Sequence, residues 1–340
     1  MNARRPIRRY SRLLAPIVGL ALLASACTSS GPSQVSIPPS ATGSTAPAAT
    51  GTPSPAPTLA DVFPLTLVDD EGTTVAIPAE PARIVSLTPA TTEILFAIGA
   101  GSRVVATTDF DDYPPEAVPL PDVATFASVD IEKIVGLDAD LVVAGGNNFN
   151  SPDAIARIRS LGIAVVVVYA PDVAGVLADI ELVGRAAGET AAAADLAATM
   201  RVTFDQVAAA TRDLPKPSVF YELDATVQIY TAADESFLAE MIELAGGAPL
   251  TTGSTTNFEI SLESLVAADP ELILLGDAAY GVTAEQVAAR PGWAGLQAVR
   301  SGAIRAVNDL VITRPGPRLV EGLRELAVAI HPDLVLPAAP

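Results

Sequence analysis

Two seventeen-residue segments of the chain, residues 129–145 and 260–276, align with each other without a gap. Each has the pattern of a polar N-cap residue, a short helix, a turn that contains aspartate, an apolar strand and a final glycine. Asp130 and Ser261 occupy the N-cap position. A helix–strand unit that recurs in one chain predicts two structurally related lobes, because a single unit cannot bury its apolar face alone.

Glu132 and Glu263 occupy the same position of these two segments, in the first turn of the short helix. One interpretation is that each acid does no more than complement the helix dipole, which stabilises a helix by on the order of tenths of a kcal/mol. The alternative is that the two acids, one from each lobe, present matched charges to a two-fold symmetric partner. The residues alone leave both interpretations open.

Strand and helix patterns alternate within residues 61–172, after an initial hairpin, and again within residues 215–334. Apolar runs such as residues 163–169 are typical of parallel strands buried on both faces. Residues 173–214 contain no strand pattern and predict two helices divided by Gly188, the second spanning roughly 35 Å. The predicted fold class is α/β: two Rossmann-like lobes joined by a single long α-helix, with a ligand cleft between the lobes.

Residues 1–26 predict a bacterial export signal, because arginines precede an apolar stretch that is too short to span a bilayer. Small residues then stand before Cys27, the only cysteine. This junction resembles a lipobox, where a lipoprotein is cleaved and its cysteine is lipidated; ordinary signal cleavage beside an incidental cysteine is the alternative. Residues 27–60 carry no charge and are rich in Ser, Thr, Pro, Ala and Gly, which predicts a disordered linker. Residues 335–340 are a short tail.

The charge and the scarcity of histidine and cysteine disfavour several functions. The formal net charge is −19. Residues 1–26 contribute five arginines and no acid, so the rest of the chain is more acidic still. Such an acidic chain argues against binding to nucleic acid or anionic lipid. His331 and Cys27 are the only residues of their types, which excludes a disulfide framework and a multi-histidine metal site. Little material remains for Ser-His-Asp catalysis. We therefore expect a binding protein with no catalytic residues and no metal or resident cofactor of its own.

Several ordered motifs resemble a known family. Residues 83–108, 112–117, 130–145 and 313–323 are similar to segments of the cobalamin and ferric-siderophore substrate-binding proteins of ABC importers. The resemblance covers residues 62–334. It implies the helical-backbone (class III) arrangement, in which one rigid helix joins two α/β lobes and the lobes close only slightly on the ligand.

The resemblance also implies partners and a location. The protein is expected to be a monomer outside the cytoplasm, held to the outer face of the bacterial cytoplasmic membrane by lipid on Cys27. It would deliver a small-molecule metal chelate to an ABC permease dimer with its ATPase. In this family one glutamate from each lobe docks onto arginine pockets of the permease, and Glu132 and Glu263 match those positions.

The ligand is implied to be a ferric siderophore or a corrinoid, held by loops that follow the strands. The matching residues are Thr88, Pro89, Thr91, Phe110, Phe126 and Asn147 in the first lobe and Asn257, Asp309 and Arg314 in the second. Phe110 and Phe126 fall where vitamin B12 binders place a tyrosine and a tryptophan, although both can equally be core or rim residues. Arg314 can meet an anionic group of the ligand or serve the fold.

Because the sequence departs from the B12 pattern, a ferric siderophore and haem are alternatives to a corrinoid. Phe126 stands where tryptophan is usual and Leu310 stands where an aromatic residue is expected, so a corrin ring would find fewer ring faces here than in vitamin B12 binders. A trianionic siderophore would require several arginines, of which only Arg314 is a candidate. Haem would require an axial tyrosine or histidine, and Tyr230 is the candidate. An extracytoplasmic enzyme and a sensing lipoprotein are the alternatives from other functional classes.

Overall fold

The computed structural model describes residues 62–147 and 149–338. The predicted export signal, Cys27 and the predicted linker lie outside the described residues, and so does the end of the tail. No helix within the described part of the chain is long and apolar enough to cross a bilayer.

Two parallel sheets form the framework of the fold. The strands in chain order are β1 (Leu65–Val68), β2 (Thr74–Ile77), β3 (Ile84–Ser86), β4 (Val104–Thr108), β5 (Asp122–Ala124), β6 (Leu141–Gly145), β7 (Ala164–Val168), β8 (Ser218–Glu222), β9 (Ile229–Tyr230), β10 (Ala248–Pro249), β11 (Glu259–Ile260), β12 (Leu272–Leu275) and β13 (Ile304–Ala306). The first lobe has a five-stranded sheet in the order β5-β4-β3-β6-β7, and the second lobe has a four-stranded sheet in the order β10-β8-β12-β13. Two antiparallel pairs, β1 with β2 and β9 with β11, complete the strands.

Helices cover the sheets and connect the lobes. They are α1 (Pro89–Ala97), α2 (Ile131–Gly136), α3 (Pro152–Ser160), α4 (Val173–Ala187), α5 (Thr190–Thr211), α6 (Phe237–Leu244), α7 (Leu262–Ala268), α8 (Ala284–Ala288), α9 (Gln297–Ser301), α10 (Asp309–Ile312) and α11 (Leu319–Ile330), with short 3-10 segments at Gly101–Arg103 and Gly276–Tyr280. Alternation of strands and helices around two parallel sheets confirms the predicted α/β class.

The first sheet is buried on both faces, as its apolar runs predict. Ile84 and Val143 belong to a large core that also contains residues of α4, α5 and the second lobe. Their neighbours Val85 and Val142 point the other way, into a core under α2 and α3. Successive side chains of a strand face opposite sides of the sheet, so an all-apolar strand is the sequence that this position requires.

The chain passes from the first lobe to the second through α4 and α5. Asp172 begins α4 by accepting a hydrogen bond from the backbone N–H of Gly175 at 2.6 Å, and Gly188 ends it at φ 79°. A Cβ atom at Gly184 would lie 2.2 Å from that of Ala193, so small residues let the two helices pack closely. The 22 residues of α5 give the predicted long helix a length of about 33 Å.

The internal repeat is reproduced in the backbone. Asp130 and Ser261 cap α2 and α7, each accepting a hydrogen bond from the N–H three residues on, at 2.9 and 3.0 Å. After each helix an aspartate takes the left-handed conformation, Asp138 at φ 50° and Asp269 at φ 43°. Each unit then enters a central strand of its sheet. The repeat therefore identifies equivalent units of the two lobes, as predicted.

Some local features are short and have little signal in the sequence. Helix α8 begins after Thr283, with a complete capping box between Thr283 and Gln286, and extends over only five residues, because Arg290 and Pro291 lead into a tight turn. The short strands β5, β10 and β11 have no apolar run in the sequence that would reveal them. Each of them pairs with a longer strand or closes a small ribbon, which is a tertiary effect.

Candidate functional site

A cavity of about 530 Å³ lies between the lobes. Seven of the residues predicted to bind ligand line it: Thr88, Pro89, Thr91, Phe110, Phe126, Asn147 and Arg314. Four aromatic residues that the sequence reasoning missed also line it: Phe149, Tyr169, Phe237 and Tyr280. Ring faces with a few polar groups are typical of small-molecule sites.

Aromatic rings form one wall of the cavity. Phe110 and Phe126 meet edge to face, with centroids 4.4 Å apart, and Phe149 lies 6.3 Å beyond Phe126. Phe126 is 81% exposed, so its position is not explained by core packing. The cavity has more rings than the motifs alone indicate, because several of the rings come from loops that carry no motif.

Threonines at the start of α1 form the polar part of the first lobe's wall. Thr88 is the N-cap of the helix, and its Oγ1 accepts a hydrogen bond from the backbone N–H of Thr91 at 3.1 Å. Thr91 Oγ1 lies 2.9 Å from Thr88 Oγ1 and 2.6 Å from Ser86 Oγ. Pro89 occupies the first turn, where its missing N–H costs nothing. These hydroxyl groups are buried and held in place by one another.

Two glycines at the carboxyl end of β6, Gly145 and Gly146, let neighbouring side chains pack closely in this wall. A Cβ atom at Gly145 would lie 2.8 Å from Thr88 Cγ2, and one at Gly146 would lie 3.1 Å from Tyr169 Cβ. The Asn150 side chain accepts a hydrogen bond from the Gly145 N–H at 2.7 Å and donates one to the Leu87 carbonyl at 3.1 Å. The loop that carries Asn147 is therefore anchored to the carboxyl end of β6.

Tyr169 follows β7 directly and is positioned by the β1–β2 hairpin. Its backbone N–H donates to Asp70 Oδ2 at 2.6 Å, and the Asp70 N–H donates to the Val167 carbonyl at 3.1 Å. Asp179 of α4 lies beside Asp70, is 3% exposed and lines the cavity. Burial, and then the hydrogen bond and the negative charge of Asp70, raise the pKa of Asp179 to about 9. At neutral pH this wall of the cavity therefore carries a protonated carboxyl group.

Arg314 reaches the cavity from the second lobe and is already paired. Its guanidinium donates to Asp112 at 2.5 Å and to Glu93 at 3.3 Å, both in the first lobe. Of the described residues that line the cavity, Arg314 and Asp179 are the only ionisable ones apart from tyrosines. Because the arginine is balanced and Asp179 is protonated, the cavity has little free charge.

Asp309 supports the site without lining the cavity. It accepts hydrogen bonds from the Tyr221 hydroxyl and the Thr313 hydroxyl, both at 2.9 Å. Burial raises the pKa of Asp309, although the hydrogen bonds from Tyr221 and Thr313 oppose the shift. These bonds fix the turn that leads to Arg314.

Two further predicted ligand residues also lie outside the cavity. The Tyr230 hydroxyl donates to Gln228 Oε1 at 2.7 Å. Asn257 Oδ1 accepts a hydrogen bond from the Glu259 N–H at 3.0 Å within an exposed turn. Both side chains are thus committed to the ribbon formed by β9 and β11.

The second lobe's wall rests on a buried ion pair. Glu222 at the end of β8 accepts two hydrogen bonds from Arg290, at 2.6 and 2.8 Å, and Arg290 also lies over the Trp293 ring at 4.8 Å. Burial and the nearby charge of Glu222 raise the pKa of Asp277 to about 7. Asp277 belongs to the segment Gly276–Tyr280, which presents Tyr280 to the cavity.

The two repeated acids are exposed, as docking would require. Glu132 and Glu263 lie in the first turns of α2 and α7. Cys27, the third functional residue predicted outside the cleft, lies outside the described residues. No group of three His, Cys, Asp or Glu side chains within residues 62–147 and 149–338 could hold a metal ion.

Comparison with known proteins decides the family. The family model described as periplasmic binding protein matches residues 84–309. The chain belongs to this family. It is 34% identical over 278 residues to YvrC of Bacillus subtilis, named as an uncharacterized ABC transporter substrate-binding lipoprotein, covering 80% of this chain and 87% of that one. It is 32% identical over 283 residues to a cobalamin-binding protein of Halobacterium salinarum, covering 79% and 74%.

Solved structures agree with this membership. The periplasmic vitamin B12 binding protein BtuF of Vibrio cholerae superposes with a TM-score of 0.65 at 26% identity, covering 74% of this chain and 98% of that one. The periplasmic heme-binding protein RhuT from Roseiflexus sp. RS-1 superposes with a TM-score of 0.65 at 28% identity, covering 74% and 98%. The resemblance inferred from the motifs is confirmed. The protein is an extracytoplasmic substrate-binding protein and not an enzyme.

Proposed function

We propose that this protein is the lipid-anchored receptor of an ABC importer and that it captures a corrinoid of the cobalamin type. The observation that carries the proposal is an aromatic cavity between the lobes with almost no free charge. A corrin ring is large, flat and apolar on its faces, with amide groups at its edge. Rings stack well on such faces, and hydroxyl groups can bind the amides.

The charge of the cavity argues against the other metal chelates of this family. A trianionic ferric siderophore would require unpaired cationic groups, since burying a charge without a partner is costly. Arg314 is the one described cation that lines the cavity, and Asp112 and Glu93 already neutralise it. A neutral or weakly charged ligand therefore fits better.

The proposed ligand contacts divide by chemistry. Phe110, Phe126 and Tyr169 offer ring faces or edges to the macrocycle. Thr88 and Asn147 offer a hydroxyl and an amide to polar groups at its edge. The relatives named as cobalamin-binding and vitamin B12-binding support the same ligand class.

Haem is the second candidate, because tyrosine is a possible axial ligand of haem iron. Tyr169 and Tyr280 line the cavity and are 46% and 79% exposed, so either hydroxyl can reach a bound ligand. Tyr230, the candidate from the sequence, lies outside the cavity. Solved haem-binding proteins also share this fold.

Delivery completes the proposal. Glu132 and Glu263 would bind basic pockets in the two halves of the permease dimer, and its ATPase would drive release and transport. Lipid on Cys27 would hold the receptor at the outer face of the cytoplasmic membrane, with the uncharged linker as a tether. YvrC, a relative named as a lipoprotein, supports the anchor.

The test measures ligand retention by the full-length protein purified in detergent. It is incubated with cyanocobalamin, cobinamide, haem and a panel of ferric siderophores, and bound ligand is measured by absorbance and native mass spectrometry. We expect stoichiometric retention of an unaltered corrinoid. Retention of haem with a tyrosinate iron spectrum would replace the corrinoid with the second candidate, and retention of none would reject the proposed function.

A further inference from the structure

Two exposed valines stand beside the two repeated acids. Val135 lies three residues after Glu132 on α2, and Val266 lies three residues after Glu263 on α7. Residues spaced by three share one face of a helix, so each acid and its valine form one surface. The two valines are 45% and 44% exposed, and they occupy the same position of the internal repeat.

The two helices are held in the same rotation. Ile134 and Leu265, each two residues after the acid, are fully buried in the outer cores of their lobes. The left-handed aspartates at the ends of the helices, Asp138 and Asp269, show that the backbones also leave in the same way. Acid and valine therefore point outward on both lobes because the same packing fixes both helices.

The sheet topology places both surfaces on the side of the cleft. A helix that leads into a parallel strand through a tight turn runs antiparallel to that strand, so the start of the helix lies near the strand's carboxyl end. Strand β6, which follows α2, ends at Gly145 in the cavity wall. Strand β12, which follows α7, continues into the segment that carries Tyr280, also in the cavity wall. One partner over the cleft mouth can thus reach both helices.

The two surfaces differ in the residue that follows the acid, but in neither does that residue pair with the acid. The residue after Glu132 is Lys133, whereas Ser264 follows Glu263. Lys133 Nζ donates a hydrogen bond to the carbonyl of Asp122 at 2.7 Å, so its charge is directed to its own lobe. Each surface thus presents an acid beside an apolar side chain.

We infer that Val135 and Val266 belong to the permease docking surface, and that the permease dimer presents an apolar patch beside a basic pocket in each of its halves. Exposed ion pairs contribute little affinity because water competes for them. Apolar contacts beside them add affinity, while the charges set the register of the complex. A single exposed valine needs no explanation, but two in matched positions beside matched acids fit a partner with two equivalent contact sites. This inference rests on the proposed delivery to a permease.

The test uses the double variant V135S/V266S of the full-length lipoprotein. Its binding to the cognate permease–ATPase complex in lipid nanodiscs is measured by surface plasmon resonance. Val202 and Val328, 46% and 44% exposed on α5 and α11, provide the matched control V202S/V328S. We expect about ten-fold weaker binding for the docking variant, from lost apolar burial, and no change for the control. Cyanocobalamin affinity serves as the check on folding and should be unchanged in both.

The charge-reversed variant E132R/E263R separates the valine inference from the proposed docking through the two acids. If it loses permease binding while V135S/V266S binds like the wild type, the valine inference is rejected and acid-mediated docking stands. If neither variant changes binding, or if the wild type does not bind the permease, the valine inference and acid-mediated docking are both rejected. Equal weakening of V135S/V266S and V202S/V328S would also overturn the inference, because the effect would then not be local to this surface.

Discussion

Arg318 and Glu93 join the two lobes through two hydrogen bonds, from Nε to one carboxylate oxygen at 2.9 Å and from Nη2 to the other at 2.5 Å. Glu93 lies on α1 of the first lobe, is 2% exposed, and also accepts a hydrogen bond from Arg314. The hydrogen bond to Glu93 raises the pKa of Arg318 above its usual range. A largely buried charge network therefore crosses the interface beside the ligand cavity.

Replacing Glu93 with glutamine should destabilise the protein strongly. The substitution keeps the size of the side chain but leaves Arg318 and Arg314 without their shared counter-charge. We expect the free energy of unfolding to fall by about 3 kcal/mol, as for other buried ion pairs that lose one partner. Chemical denaturation measures it. The control is Arg300→Gln, which breaks an exposed pair with Asp269 at 3.6 Å and should cost under about 0.5 kcal/mol. Equal effects of the two variants would contradict the structural role of Glu93.

The carboxyl pair of Asp179 and Asp70 predicts a pH-dependent stability. The pKa of Asp179 is about 9 in the folded protein and 3.8 in the unfolded chain. Between these values the unfolded chain releases the proton and the folded protein retains it. The contribution of the Asp179 carboxyl group to the free energy of unfolding is therefore largest below pH 3.8 and falls as the pH rises to about 9.

Asp179→Asn should remove this dependence, because the amide cannot ionise. The stability of the variant relative to wild type should rise between pH 4 and 9 with a slope of at most about 1.4 kcal/mol per pH unit, and should level off above pH 9. Urea denaturation at four pH values measures the difference. A difference that stays constant over this range would show that Asp179 is ionised in the folded protein.

Gly322→Ala tests the packing of α11 on α10. A Cβ atom at position 322 would lie 2.2 Å from the carbonyl oxygen of Val311, a backbone atom that cannot move aside by a change of rotamer. We expect a loss of about 2 to 3 kcal/mol from overpacking. Gly295→Ala is the control, since nothing lies within 4 Å of its Cβ position. A melting temperature as high as that of the control would refute this packing.

The framework was predictable because its strands and helices have strong local signals. Apolar runs gave β6 and β7, and the glycine at position 188 divided α4 from α5 as expected. The repeat located α2 and α7 with their N-caps. The short strands β5, β10 and β11 were missed because their pairing is decided by distant partners and not by their own sequence.

The site was predictable in part, for a related reason. Thr88 and Arg314 were found because they lie in motifs, and Phe110 was found because it falls where vitamin B12 binders place an aromatic residue; all three line the cavity. Tyr169 carries no motif, but it directly follows a buried strand, and the carboxyl ends of parallel strands form binding sites. Applying that rule to each strand would have identified it. Asp179 could not have been found in this way, because it lies in the middle of α4 and reaches the cavity only through the packing of the lobes.

Cys27→Ser should release the protein from the membrane. A serine cannot carry the thioether-linked lipid, and the mature chain is too acidic to adsorb to anionic membranes by charge. Fractionation of cells grown with a clickable fatty acid should show label and membrane recovery for the wild type and neither for the variant. Ser29→Ala, two residues further on, is the control and should be labelled normally. Labelling of the Cys27→Ser variant would refute the predicted anchor.

Phe126→Ala should weaken ligand binding without destabilising the fold. Phe126 is 81% exposed and makes its ring contacts within the cavity wall, with Phe110 and Phe149. A stacked ring and its buried area contribute about 2 kcal/mol, so we expect roughly 30-fold weaker cyanocobalamin binding by isothermal titration calorimetry. Phe258→Ala, at a residue that is 41% exposed and does not line the cavity, is the control. If Phe126→Ala binds as tightly as Phe258→Ala, the aromatic wall does not hold the ligand, and the cavity loses its main argument for a corrin ring.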